Sequence, residues 1–175
     1  MKKTLISTFI AAACLTASGA AMAGDKDAVQ TGTVTTNVTG LSGVTITLNN
    51  TPETVTTDDV KVPGTLLATL GIAATGLDLS TASGGNIAVE VEGDHYDAGS
   101  GAWLFRTGDG SSTPLKARPK TGDGWNQNPA NRVAYRLQNG NQNVNLQLPI
   151  QTNSGNTNVT AGNYTMPVTV SFNTW

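Results

Sequence analysis

From Tyr164 to Phe172 the chain reads Tyr-Thr-Met-Pro-Val-Thr-Val-Ser-Phe. Tyr164, Met166, Val168, Val170 and Phe172 share one side of a two-residue repeat, with Thr165, Pro167, Thr169, Ser171 and Asn173 on the other. A helix would scatter these apolar groups around its axis, whereas an extended strand gathers them on one face. The stretch therefore predicts a half-buried strand, entered through the turn composition Thr160–Asn163. No strand pattern follows it, so one edge is expected to be uncovered, and an open edge is a row of unpaired N–H and C=O groups.

The same period recurs through the chain. Val44, Ile46 and Leu48 alternate with threonines until Asn49-Asn50-Thr51-Pro52, whose turn chemistry predicts the strand end. Leu66, Leu67, Leu70 and Ile72 fit a strand or a short helical turn equally well. Ile87, Val89 and Val91 alternate with Ala88, Glu90 and Glu92. Trp103 to Arg106 reads as a short aromatic strand closed by Gly108-Asp109-Gly110, with Leu115–Pro119 as its hairpin partner. Residues 121–131 read as a long loop around Trp125. Val133, Tyr135 and Leu137 form another strand before the tight-turn pair Asn139-Gly140, and Val144, Leu146, Leu148 and Ile150 one more. Six or seven strands at short spacing, without long amphipathic helices, predict an all-β sandwich.

Residues 1–23 carry the grammar of a secretory signal: Lys2 and Lys3, an apolar run from Leu5, and Ala21-Met22-Ala23 as a cleavage site. Cys14 is the chain's one cysteine and falls inside that signal, so the exported domain is expected to be stable without a disulfide. The cysteine count also excludes a Cys nucleophile or Cys metal site from the mature chain. Charged residues make up 13% of the chain and the net charge is −2, which gives no basis for binding nucleic acid.

Catalytic chemistry finds little support. The single histidine, His95, lies in Asp94-His95-Tyr96-Asp97, where a weak cation site competes with an ordinary polar turn. No nucleophile elbow and no phosphate-binding glycine loop is present. No cofactor and no metal is expected. Arg106, Lys116 and Arg118 are interleaved with Trp103 and Trp125. A basic, aromatic surface of this kind suits an acidic sugar, unless the tryptophans are core and the cations merely solvated.

Residues 24–40 form a polar arm ahead of the domain at 41–175. From Ala28 the arm alternates, with Ala28, Gly32, Val34, Thr36 and Val38 on one face. It has little apolar surface of its own, so it is either a loose N-terminal arm or a strand meant for another sheet.

The run Thr160-Ala-Gly-Asn-Tyr164 followed by Val168-Thr-Val-Ser-Phe172 resembles the C-terminal end of chaperone–usher pilins, with the pattern of the disulfide-free Saf-type and capsular-antigen-like subunits. The resemblance implies an incomplete immunoglobulin-like β-sandwich completed by a donor strand from a neighbouring subunit. It implies Ala28, Gly32, Val34, Thr36 and Val38 as donor, unless the register uses the odd positions. Tyr164, Met166, Val168, Val170 and Phe172 become the acceptor groove. The implied partners are a periplasmic chaperone, an outer-membrane usher and further subunits in a head-to-tail fibre on the bacterial surface, with a host glycan or protein as receptor. The reading from another class is a secreted sugar-binding sandwich or tip adhesin using residues 103–136.

Overall fold

A computed structural model describes residues 28–31, 44–127, 129–140 and 143–175. The signal sequence and the arm positions Gly32, Val34, Thr36 and Val38 lie outside the described residues. The strands are β1 (Ala28–Thr31), β2 (Thr45–Pro52), β3 (Thr54–Thr56), β4 (Leu66–Thr75), β5 (Gly85–Glu90), β6 (Tyr96–Asp97), β7 (Ala102–Thr107), β8 (Leu115–Pro119), β9 (Trp125–Gln127), β10 (Arg132–Leu137), β11 (Asn143–Thr152), β12 (Asn163–Thr165) and β13 (Thr169–Thr174). Single-turn 3₁₀ helices span Asp59–Lys61 and Gly93–His95. The fold is all-β, as expected. Its strands are more numerous than the sequence pattern suggested, because the last one divides between the sheets and short strands form in stretches that read as loop.

One nine-stranded sheet runs β2-β4-β11-β8-β7-β12-β1-β3, with β6 on β7; the second runs β13-β5-β10-β9. In the larger sheet β2 and β3 stand at opposite ends of the order, yet Glu53 alone separates them in the chain. The sheet therefore curls until its two ends meet in one stretch of backbone. Both sheets feed one core: Ile72, Trp103, Phe105, Leu148 and Tyr164 from the larger meet Ile87, Val89, Trp125, Val133 and Val170 from the smaller.

Local chemistry explains the departures from the sequence reading. Leu66–Thr75 is a strand paired along both edges, by β2 and β11, and residues on both of its faces are buried. The Asn49-Asn50-Thr51-Pro52 run does not end β2. It pairs with β4 through Pro52↔Ala68 at the sheet's margin, where a proline's missing N–H does little harm. Residues 121–131 are not simply a loop. Gly122 and Trp125 exchange backbone hydrogen bonds of 3.0 and 2.9 Å around Asp123 and Gly124, whose φ values are +50° and +92°. Positive φ at both central residues is the type I′ hairpin geometry that Asp-Gly favours, and it launches β9. The predicted hairpin of β7 and β8 is present, with Trp103 opposite Ala117.

Asn156 looks like one polar residue in a polar loop, yet it is 2% exposed. Its Oδ1 accepts the Lys116 N–H at 2.8 Å, and its Nδ2 donates to the carbonyls of Lys116 at 2.8 Å and Asn153 at 3.1 Å. The side-chain amide thus stands in for a neighbouring strand beside β8. Asn156→Ala leaves the Lys116 N–H and the Asn153 carbonyl without this partner, while the Lys116 carbonyl keeps the Asn153 N–H at 2.9 Å, and is expected to cost about 2–4 kcal/mol, read as a lower urea midpoint. Asn156→Asp is expected to be worse, since its carboxylate would face two carbonyls. An unchanged midpoint in both variants would show that water replaces the amide without loss.

Candidate functional site

The final strand pattern divides between the sheets. β12 belongs to the larger sheet and β13 to the smaller, joined by Met166, Pro167 and Val168. Pro167, which has no N–H to offer a ladder, falls in this link and is exposed. The alternation read from the sequence is kept across the break. Tyr164 and Met166 are fully buried, Val168 and Val170 nearly so, and Phe172 packs at the core margin. The five side chains expected to wall a groove therefore belong to this domain's core. Tyr164 also turns its hydroxyl back to donate to the Thr160 carbonyl at 3.0 Å. This is the tyrosine-corner arrangement found at the start of the corresponding strand in immunoglobulin-like sandwiches.

Two backbone features lie beside this segment. β1 sits between β12 and β3, parallel to the first (Gln30↔Asn163, Thr31↔Tyr164) and antiparallel to the second (Ala28↔Thr56, Val29↔Val55, Gln30↔Thr54). The start of the arm thus fills a slot between β12 and β3 of its own chain. Taking it out would leave the facing edges of both strands unpaired. β13 pairs with β5 from Thr169↔Glu90 to Thr174↔Gly85, and among the described residues no strand pairs its other edge.

The tryptophans, Trp103 in the larger sheet and Trp125 in the smaller, face the core, away from the cations of β7 and β8. Trp103 is fully buried and Trp125 is 3% exposed. Their indole N–H groups donate to the carbonyls of Ala130 at 3.1 Å and Gln147 at 2.9 Å. Neither ring lies open beside the cations, so the expected stacking surface of Trp103, Arg106, Lys116, Arg118 and Trp125 does not form. Apolar area drives both rings inward, and a backbone carbonyl satisfies each N–H. The cations do share a face: Lys116 lies opposite Leu104, with Arg106 and Arg118 each two residues along its own strand. Arg106 donates through Nε to the Asp94 carbonyl at 2.7 Å, Lys116 lies 3.4 Å from Asp97, and Arg118 is exposed.

The His95 cluster is built as a turn. His95 Nδ1 lies 2.8 Å from the Leu104 carbonyl, and Asp97 accepts from Ser100 and Gly99. The Ser100 hydroxyl in particular holds the Asp97 carboxyl below the usual range. A similar turn follows β7, where Ser111 lowers Asp109 to about 2. Among the described residues no three acidic, histidine or cysteine groups come together to hold a metal.

The Dr-family adhesin model matches residues 25–175. The chain belongs to the Dr-family adhesins. The adhesin is a chaperone–usher fimbrial subunit with a role in adhesion, in line with the pilin resemblance of its C-terminal motif. Comparison of this adhesin with curated proteins gave no match. Among solved structures it is similar to HdaB, the minor tip subunit of the E. coli Hda pilus, at 21% identity and a TM-score of 0.46, over 75% of this chain and 80% of that one. It is also similar to the Salmonella SafD adhesin at 14% identity and a TM-score of 0.39, over 63% of this chain and 74% of that one. A structure from the AAF fimbriae of enteroaggregative E. coli, described for fibronectin binding and biofilm formation, matches at 14% identity and a TM-score of 0.39, over 75% of this chain and 98% of that one.

Proposed function

We propose that this adhesin polymerises by exchanging its N-terminal arm between copies, and that it acts by binding rather than catalysis. The observation that carries the reading is the place of β1. A four-residue strand from the arm completes the larger sheet between β12 and β3. A segment that can fill this slot in its own chain has the pairing chemistry to fill it in another. The open edge of β13 continues the acceptor beside the slot, so the rest of an incoming arm has main-chain partners there. Arm and acceptor are different surfaces of one chain, which makes the contact head-to-tail and the product an open fibre. A periplasmic chaperone would cover the same edges before the usher passes the subunit on, since exposed strand edges invite aggregation. The fibre would then stand on the bacterial surface, where a host glycan or protein serves as receptor.

Val34 is the largest apolar residue on the proposed donor face, level with Val38. Val34→Asp would bury an unpaired carboxylate wherever that face meets the acceptor, at a cost the short strand cannot offset. The expected result is a subunit that is exported and held by the chaperone at normal levels but builds no fibres, scored by electron microscopy and by the ladder of oligomers on gels. Fibres of normal length from this variant would rule out Val34 as a donor residue and the even-numbered register with it.

A further inference from the structure

We infer that the cleft between the Asp123-Gly124 hairpin and the outer edge of β11 is a binding site for a neutral saccharide. The cleft has a volume of about 340 Å³, at the lower end of small-ligand sites and suited to a mono- or disaccharide. It lies away from the β12 and β13 edges, so it does not depend on how the subunits join.

Its walls come from distant parts of the sequence. The hairpin is tied to β11 by the Lys120 N–H, which donates to the Pro149 carbonyl at 2.8 Å, and by the Trp125 indole N–H to the Gln147 carbonyl. These bonds fix Lys120 and Asp123 across from Asn145 and Gln147. All four are exposed, and among the described residues no hydrogen bond engages the ends of their side chains. One carboxylate, one ammonium and the Asn145 amide thus line the cleft, while the Gln147 amide lies over Gly71 of β4. Between them they accept from and donate to hydroxyls, each of which is itself both donor and acceptor.

The floor is aromatic. Tyr135 lies directly opposite Trp125 in the β9–β10 pair, with ring centroids 5.5 Å apart at 68°. Trp125 is buried beneath, while Tyr135 is half-buried and lines the cleft. Its ring is fixed from the other side by Gly124, where a Cβ would come within 2.3 Å of the Tyr135 ring. A rigid aromatic surface ringed by free hydrogen-bonding groups matches the C–H face and hydroxyl rim of a pyranose. The opposite charges of Lys120 and Asp123 offset one another, which favours an uncharged ligand. A protein partner fits less well, because the cleft exposes no large apolar anchor: among the described residues the exposed large hydrophobics are Val62 and Trp175, and neither lines it.

The test applies the full exported chain to an array of glycans ending in galactose, glucose, N-acetylglucosamine, mannose or fucose, beside sialylated and sulfated forms. Binding to at least one neutral class is expected. Asp123→Asn preserves the turn, because Asn-Gly is as well suited to type I′ as Asp-Gly. It is expected to weaken that binding at least about ten-fold, as is Asn145→Ala, with the thermal unfolding midpoint unchanged. Tyr135→Phe keeps the ring and is expected to retain most of the binding, whereas Tyr135→Ala loses it. Retention of no neutral glycan would overturn the inference. So would neutral binding that survives Asp123→Asn and Asn145→Ala, or binding confined to acidic glycans and lost in Arg118→Ala.

Discussion

Trp103→Ala is expected to destabilise the domain severely. Trp103 is fully buried in β7, between Tyr96 of β6 and Ala117 of β8, and its indole N–H donates to the Ala130 carbonyl. Truncating a buried tryptophan costs about 3–5 kcal/mol through lost burial and the cavity left behind. A single domain has only about 5–15 kcal/mol in total, and the described residues of this one hold no disulfide to limit the loss. The variant should therefore show a thermal midpoint lowered by roughly 6–20 °C, followed by tryptophan fluorescence and circular dichroism. Trp103→Phe keeps most of the volume and should lose far less. The same substitution separates two roles for this residue. Were Trp103 a ligand-stacking residue at the surface, Trp103→Ala would keep its midpoint and lose binding alone.

Much of the framework was legible because a two-residue period survives wherever one face of a strand is buried. Val44–Leu48, Ile87–Val91, Val133–Leu137 and Val144–Ile150 all fall in or against observed strands, with Val89, Val133, Leu148 and Ile150 fully buried. Leu66–Ile72 was ambiguous for a physical reason: both faces of β4 contact protein, which removes the alternation that marks a strand. The Asp123-Gly124 hairpin had its signal in plain view, but three residues of β9 carry too little pattern to stand out from the surrounding glycine, asparagine and proline. Asn156 gave no signal at all, since a buried amide and a solvated one look alike in sequence.

The candidate sites were legible in part. The apolar face from Tyr164 to Val170 was identified correctly as buried, but periodicity could not show that it crosses from one sheet to the other at Pro167. Nor could it show that Ala28–Thr31 lies between β12 and β3, because that pairing joins residues more than a hundred positions apart. Whether the tryptophans were core or surface was left open, because adjacency to Arg106, Lys116 and Arg118 in sequence does not say which way a ring faces; both are buried. The saccharide cleft combines residues 120–125, 135 and 145–149, and only the tertiary fold brings them together.

On the proposed reading the larger sheet needs an arm, and any copy of the arm will serve. Residues 44–175 alone would present unpaired edges at β12, β3 and β13. The same residues followed by a flexible linker and residues 28–38 carry their own complement. Burial of Val34 and Val38 alone contributes roughly 3–6 kcal/mol, and the restored ladder adds to it. At about 2–4 °C per kcal/mol for a domain of this size, the fused chain should melt on the order of 10 °C or more above the unfused one. The decisive measurement is sedimentation of the two proteins at equal concentration, followed by thermal unfolding. The fused chain is expected to be a soluble, cooperatively folded monomer and the unfused chain to be aggregated or oligomeric. An unfused chain that is already monomeric, with the same midpoint as the fused one, would contradict it.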